Sequence, residues 1–460
     1  MKEFEKVIGY NAIKQELIRI SDVLKNNDAY KKLCVNAPRG LLLHGEPGVG
    51  KTLMASCIIA ASGRKAFICR KDKPNGDFVN AIKKTFSDAK AAAPSIVFLD
   101  DMDKFANGDE SHTDAEEYVT VQACIDEVRD SEVFVLATAN SLRVLPGSLK
   151  RVGRFDRIIK ICNPDGEDAI RIISHYISKK KFVGDIDPIS IARIMEGRSC
   201  AELETVINEA GLYAGYERSD KITMEHFMRA CLHTVFNVPN GVLNAKMPKI
   251  NLSDSKNPMT KVIYHEAGHA TIAEVLKPGT VTLVSAYKQA GDTGGFTAFC
   301  KNLKGNSSSE LCLEEDDDYL NDLMAQDNDT IDEIHAEVLG SLGGMAALEQ
   351  RFGIIDTGTR SDLNRAFDYV SDLVIENCTC GFQYHSDGYR RSDSQELMAR
   401  QEQAVAAEME RYYRKTKEIL ALNHELLDAI ALELSRKGVL TAADIAEIKK
   451  DCRVVLVGIQ

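Results

Sequence analysis

Residues 40–62 read GLLLHGEPGVGKTLMASCIIAAS, and that stretch decides the fold class. Gly45-Glu46-Pro47-Gly48-Val49-Gly50-Lys51-Thr52 fits the pattern GxxxxGK[ST]. The apolar run before it reads as a buried strand and the run after it as a helix, which is the context the pattern requires. The glycines let backbone N–H groups turn toward phosphate oxygens, and the helix start adds positive potential. Lys51 supplies a point charge for the outer phosphates, and the Thr52 hydroxyl a ligand for Mg2+. The residues expected against ATP here are Gly45, Pro47, Gly48, Val49, Gly50, Lys51, Thr52 and Leu53.

Working outward, SIVFLDD (95–101) and VFVLATAN (133–140) are continuous apolar runs that end in polar residues. They read as further strands of a parallel sheet covered on both faces by helices. In such sheets ligands bind at the carboxyl ends of the strands. Asp100 is placed there to hold Mg2+, and Asp101 to orient or deprotonate the attacking water. Asn140, ending the next strand, is a second candidate for positioning that water. Arg151-Val152-Gly153-Arg154-Phe155-Asp156-Arg157 follows. Phosphoryl transfer needs cationic stabilisation, often from a neighbouring subunit, and Arg151 and Arg154 are the candidates.

The chain has 460 residues, 44% hydrophobic and 27% charged, with a formal net charge of -12. At roughly 150 residues per domain, about three domains or subdomains are expected. The acidic balance argues against general nucleic-acid binding, which needs a basic footprint. No run of about eighteen apolar residues is present, so no spanning helix is expected. The first residues lack an apolar signal core. The 12 cysteines form no CxxC pair, and a reducing, cytoplasmic setting is expected. The periodicity divides the chain into an α/β part at 1–164, a helical lid at 165–236, a linker at 237–258 and a mainly helical part at 259–460. In the last part TVTLVSAY (280–287) reads as a single strand, GDTGGF (291–296) as a loop, and the acidic run 314–318 as a solvated insert.

Tyr264-His265-Glu266-Ala267-Gly268-His269 contains HExxH inside the helical run KVIYHEAGHATIAEVL. Residues four apart share a helix face, so His265 and His269 can bind one Zn2+. Glu266 then lies beside the catalytic water as its proton acceptor. A catalytic zinc usually has three protein ligands and an open position. The extended HExxHxxGxxH pattern fails, because Ile272 and Val275 occupy the later places. The third ligand must come from further along, with Glu337, Glu349 and Asp362 as candidates that spacing does not separate.

FEKVIGY, GEPGVGKT, AAAPSIVFLDDMDKF, ATAN, RVGRFDR, NEAG, HEAGH, GGMAALEQRFG and TGTRSDL occur in this order. The order resembles the FtsH-type AAA+ zinc metalloproteases from Phe4 to about Val374. The resemblance implies a P-loop AAA+ ATPase with a helical lid, followed by a mainly helical zinc metallopeptidase domain. It implies a homohexameric ring that spends ATP to unfold and translocate protein substrates and cuts them at zinc. It assigns Asp362 as the third zinc ligand, and Arg151 and Arg154 as arginine fingers reaching a neighbouring site. It puts Val7, Ile8 and Gly9, with His175, near adenine. It also suggests that the strand before GDTGGFT runs along the cleft, where an extended substrate adds by backbone hydrogen bonds.

Departures from the family pattern carry expectations of their own. The family's N-terminal membrane-spanning segments are not in the sequence, so either a soluble relative, open to peripheral or adaptor-mediated recruitment, or a piece of a longer membrane protein is expected. Asp101 stands where the family has Glu, one methylene and about 1.5 Å shorter. A misplacement near 1 Å can cost about a hundredfold, so slow ATP hydrolysis is expected. The family's aromatic pore loop is replaced by RKDKPNGDFV (70–79). Either Phe78 grips substrate, or Lys71, Lys73 and Pro74 line a basic pore that steers acidic substrates. The segment 378–395 also departs from the family pattern. Two competing readings are a remodelling ATPase with an inert second domain and a zinc peptidase whose weak ATPase mainly scaffolds the ring.

Overall fold

The structure is a computed structural model that describes residues 2–34, 37–72, 75–106, 115–151, 153–243, 247–290, 294–300, 330–377, 379–381 and 395–458. Lys73, Pro74, Val152, the acidic run 314–318 and most of 378–395 lie outside the described residues. The chain forms two compact units, one ending at Met224 and the other beginning at Glu225.

In the first unit, helices α1 (Asn11–Lys25) and α2 (Asn27–Lys31) precede strand β1 (Gly40–His44). Next come α3 (Lys51–Ser62), β2 (Lys65–Cys69), α4 (Asn75–Ala91), β3 (Ser95–Leu99), α5 (Ala115–Glu127), β4 (Val133–Ala139) and β5 (Arg157–Lys160). All five strands are parallel, in the order β2-β3-β4-β1-β5. β1, β3 and β4 are buried along their whole length, as a sheet covered on both faces demands. The two edge strands, β2 and β5, are partly exposed and mix polar with apolar residues. That is why apolar runs alone reveal three strands of the five. Helices α6 (Gly166–Ser178), α7 (Pro188–Ile194) and α8 (Cys200–Tyr216) follow. α8 starts sharply because Ser199 and Glu202 form a reciprocal capping box.

The second unit contains α9 (Met224–Thr234), a short α10 (Asn240–Leu243) and α11 (Pro258–Leu276). Strands β6 (Val281–Ser285) and β7 (Phe296–Phe299) follow. Then come α12 (Ile331–Phe352), α13 (Arg360–Ser371), α14 (Gln395–Leu422), α15 (His424–Lys437), β8 (Val439–Thr441) and α16 (Ala442–Asp451). α11 is capped by Asn257 with Pro258 at its first position. It is buried on nearly every side, including Ile263, Ala267, Ala270 and Ile272, which makes it the central helix of the unit. α12 lies against it so closely that a Cβ on Gly268 would stand 2.4 Å from the Gly343 carbonyl oxygen. The small sheet is antiparallel, in the order β7-β6-β8. The single strand expected in this region is therefore one of three. β6, expected to offer its edge to substrate, is paired on both sides, and β7 and β8 are the edge strands. Among the described residues no helix is long and apolar enough to cross a membrane.

Candidate active sites

The phosphate loop leaves β1 through three glycines with positive φ: Gly45 (147°), Gly48 (87°) and Gly50 (98°). At Gly45 the close approach is severe, since a Cβ would lie 2.0 Å from the Ile161 carbonyl oxygen. Lys51 is buried, and its Nζ donates to the Gly45 and Glu46 carbonyls at 2.7 Å each. Burial holds its pKa below the ordinary lysine value, against the pull of Asp101, Asp103 and Asp100. Thr52, one residue into α3, donates from Oγ1 to Asp100 Oδ1 at 3.2 Å. Pro47, Val49 and Leu53 frame this turn: Val49 is buried, Leu53 exposed. The loop is also tied to α8, because Ala201 N–H donates to the Gly48 carbonyl at 3.2 Å.

Asp100 is almost fully buried at the end of β3. The register that pairs Leu99 with Ala137 brings Thr138 beside it, and Thr138 Oγ1 donates to Asp100 Oδ1 at 2.8 Å. The Arg70 guanidinium binds the other oxygen, Oδ2. Burial alone would raise the Asp100 pKa, but hydrogen bonds from Arg70, Thr138 and Thr52 outweigh it and hold the carboxyl below its usual value. Asp101 adopts a left-handed backbone (φ 53°), and Lys104 binds its carboxylate at 2.7 Å. Asn140 donates to Asp103 Oδ2 at 3.2 Å. Arg151 is exposed. Arg154 is engaged within its own chain, by two bonds to Asp126 (3.0 and 2.7 Å) and one to the Ser148 carbonyl.

Val7 is buried, Ile8 partly so, and a Cβ on Gly9 (φ 72°) would lie 3.0 Å from Asp168 Oδ1 in the first turn of α6. His175 lies two turns along the same helix, on the face that carries Asp168. Tyr10 fixes the segment by donating to the Cys162 carbonyl at 2.9 Å.

Two expectations for 70–79 are corrected. Phe78 is buried, packed edge-on against Phe105 at 5.1 Å, in a core that includes Ile82 and Phe86. It grips nothing outside the unit. Lys71 turns inward to buried Glu117 at 3.1 Å rather than lining an open basic surface.

In the second unit His265 and His269 project from one face of α11, and Asp362 from the first turn of α13. His265 Nε2 stands 3.1 Å from His269 Nε2 and 3.1 Å from Asp362 Oδ2, while His269 Nε2 to Asp362 Oδ2 is 3.4 Å. Atoms held about 2.0–2.1 Å from a tetrahedral centre lie about 3.3–3.4 Å apart, so the triangle has the size of three zinc ligands. Among the described residues this is the cluster with metal-ligating spacing. His269 Nδ1 donates to the Gly340 carbonyl at 2.7 Å, which fixes the tautomer with the Nε2 lone pair toward the other two atoms. The His265 ring rests on Gly344, where a Cβ would lie 2.4 Å from it. Burial would raise the Asp362 pKa, but the two imidazoles beside it overcome this and hold the carboxyl far below its usual range. Lys261, one turn before His265, bonds Asp356 at 2.9 Å, and Asp356 caps the turn leading into α13. That bond ties the Asp362 segment to α11.

The other two ligand candidates drop out. Glu349 accepts from Tyr413 and Lys417, and Glu337 lines the same cavity but stands outside the triangle. Glu266 is buried, and Thr297 of β7 donates to its Oε2 at 2.8 Å. Burial pushes the Glu266 carboxyl up, opposed by His265, His269 and Thr297. Gly295 permits this approach, since a Cβ there would lie 2.9 Å from Glu266 Cγ. The group opens on a cavity of about 580 Å³, lined also by Phe296, Phe299 and Arg365.

Sequence reasoning missed Arg70, Thr138, Thr297 and the Gly340 carbonyl. Thr138 alone carried a signal, because strand alternation puts it on the face of Asn140. The other three depend on register or helix crossing.

The ATPase family associated with various cellular activities (AAA) matches residues 41–163, and an AAA+ lid domain matches 185–229. A Symbiobacterium thermophilum protein named ATP-dependent zinc metalloprotease FtsH 2 is 30% identical over 97% of this chain and 74% of its own length. The ATP-dependent zinc metalloprotease FtsH of Helicobacter pylori is 29% identical over 97% of this chain and 70% of its own. That of a Sulfurovum species is 31% identical over 81% and 53%. The likeness runs through both units, and the chain belongs to the FtsH family of ATP-dependent zinc metalloproteases.

Proposed function

We propose that this protein is an ATP-dependent zinc metalloendopeptidase that unfolds, translocates and cleaves protein substrates. The observation that carries the reading is the triangle of His265, His269 and Asp362, with sides of 3.1, 3.1 and 3.4 Å, beside buried Glu266. These three residues would hold Zn2+, which when bound acts as a Lewis acid toward water and the scissile carbonyl. Thr297 holds Glu266 Oε2, so Oε1 takes the proton from the attacking water. As the water oxygen bonds to the carbonyl carbon and the C–N bond breaks, Glu266 returns the proton to the leaving nitrogen. An extended substrate is proposed to align on the outer edge of β7, whose residues line the cleft.

At the nucleotide site Lys51 and the loop amides would bind the phosphates, and Thr52 and Asp100 would hold Mg2+, which when bound supplies positive charge to the transferred group. Asp101 receives the proton of the attacking water, and Asn140 holds Asp103 beside it. Val7, Ile8, Gly9 and His175 surround the adenine. We read the assembly as a homohexamer in which Arg151 reaches the neighbouring site. Arg154 supports the same surface through Asp126. The working domains are 1–164, 165–236, 237–258 and 259–460. A cytoplasmic setting agrees with the free thiols of the described cysteines.

The test is Glu266→Gln. Cleavage of an unstructured protein should fall by about a hundredfold to ten-thousandfold with ATP hydrolysis retained. Full cleavage by the variant, or loss of both activities, would remove Glu266 from this role. The Asp101–Lys104 pair favours one second reading, a weak ATPase that chiefly scaffolds the ring. ATP-independent cleavage of unstructured protein at the full rate is its signature.

A further inference from the structure

Arg70 directly follows β2, and its guanidinium reaches the Asp100 carboxylate. It binds Asp100 Oδ2, while Thr52 and Thr138 share Oδ1. Its side chain is nevertheless 61% exposed, so the stem can move while the tip stays in the site. Three other cations of this unit have partners of their own. Lys51 bridges two loop carbonyls, Lys104 binds Asp101, and Arg154 is held by Asp126 and Ser148.

We propose that Arg70 is a catalytic residue of ATP hydrolysis: a cation from the same chain that contacts the transferred phosphoryl group. The proposal rests on the ATPase reading above. A Mg2+ ion held by Asp100 and Thr52 would compete with the like-charged guanidinium for that carboxylate. Arg70 then has two other anions to turn to: the Asp101 carboxylate, which already acts on it, and the terminal phosphate of a bound nucleotide. In the reaction the water oxygen bonds to the γ-phosphorus, and the bond from that phosphorus to the bridging oxygen breaks. ADP leaves with the electron pair, and the water proton passes to Asp101. Arg70 stays protonated throughout, and its planar fork can hold two equatorial oxygens as charge moves onto them. No second subunit is needed for this contact, unlike that of Arg151.

The experiment uses the full-length protein with Arg70→Ala and Arg70→Lys. Turnover at saturating Mg-ATP should fall by about a hundredfold or more in Arg70→Ala, with partial recovery in Arg70→Lys. A binding measurement separates chemistry from folding. Affinity for Mg-ADP with aluminium fluoride, a mimic of the transferred group, should drop at least about tenfold, while Mg-ADP affinity moves less than about threefold. Equal losses for both ligands, or none, would overturn the proposal. So would faster turnover, which would make Arg70 a competitor of Mg2+ for Asp100. If Arg70→Ala binds no ADP, Arg70→Lys decides by the same comparison. A wild-type protein that binds ADP yet hydrolyses no ATP defeats the ATPase reading and this proposal together, whereas an active wild type matched by Arg70→Ala defeats this proposal alone.

Discussion

Asp101 concentrates the question of how fast the ATPase can run. Its backbone is left-handed, a conformation that Asp tolerates better than longer side chains. Its short carboxylate is drawn to Lys104 at 2.7 Å, three residues along the same turn. Replacing it with Glu adds one methylene, about 1.5 Å of reach, at a modest backbone cost. Asp101→Glu should therefore hydrolyse ATP about tenfold faster or more, with a slightly lower melting temperature. Steady-state turnover at saturating Mg-ATP measures this, and an unchanged or slower variant would show that Asp101 is already well placed. Glu266, in contrast, needs no such correction. Its carboxylate is buried and anchored by Thr297 from another element, so its position is set by the fold rather than by its own turn.

The elements place these side chains with unequal legibility. The two imidazoles were readable because one helix carries both at i and i+4. Asp362 was not, because it arrives from 93 positions beyond His269, on α13, and only resemblance singled it out. β7 and β8 span four and three residues, too short for alternation to rise above a loop reading. Phe78 could have been placed correctly: Phe78, Ile82 and Phe86 recur at four-residue steps, the core face of α4. The pairing of α11 with α12 is invisible in either helix alone, yet it orients His269 through Gly340 and seats His265 on Gly344. Gly268 is the contact point, so Gly268→Ala should wedge the helices apart. We expect a loss of about 1–3 kcal/mol and weaker zinc retention. Calorimetry and metal analysis after dialysis against a weak chelator check this. A variant that keeps wild-type stability and stoichiometric zinc would mean the crossing is looser than 2.4 Å implies.

Across the whole molecule the phosphate loop and the His265–His269–Asp362 triangle lie in different compact units, and on the proposed roles the cationic groups around the nucleotide divide by the chain they serve. Arg70 and Lys51 act within their own chain. Arg151 is exposed and, on the proposed ring, completes the site of the next subunit. That division has a consequence for mixed assemblies. Lys51→Ala destroys the site of its own chain but still offers Arg151 to a neighbour. Arg151→Ala keeps its own phosphate loop but fails its neighbour. Each variant alone should hydrolyse almost no ATP. Co-assembled in equal amounts, a site works where an Arg151→Ala chain meets a Lys51→Ala neighbour, and random placement in a closed ring makes that roughly a quarter of sites. Hydrolysis should recover to about that fraction of wild type after the mixture is disassembled and reassembled. The same mixing applied to Arg70→Ala and Lys51→Ala should restore nothing, since both lesions disable the chain's own site. Recovery in that second mixture would move Arg70 to the partner's site, and none in the first would remove Arg151 from the boundary.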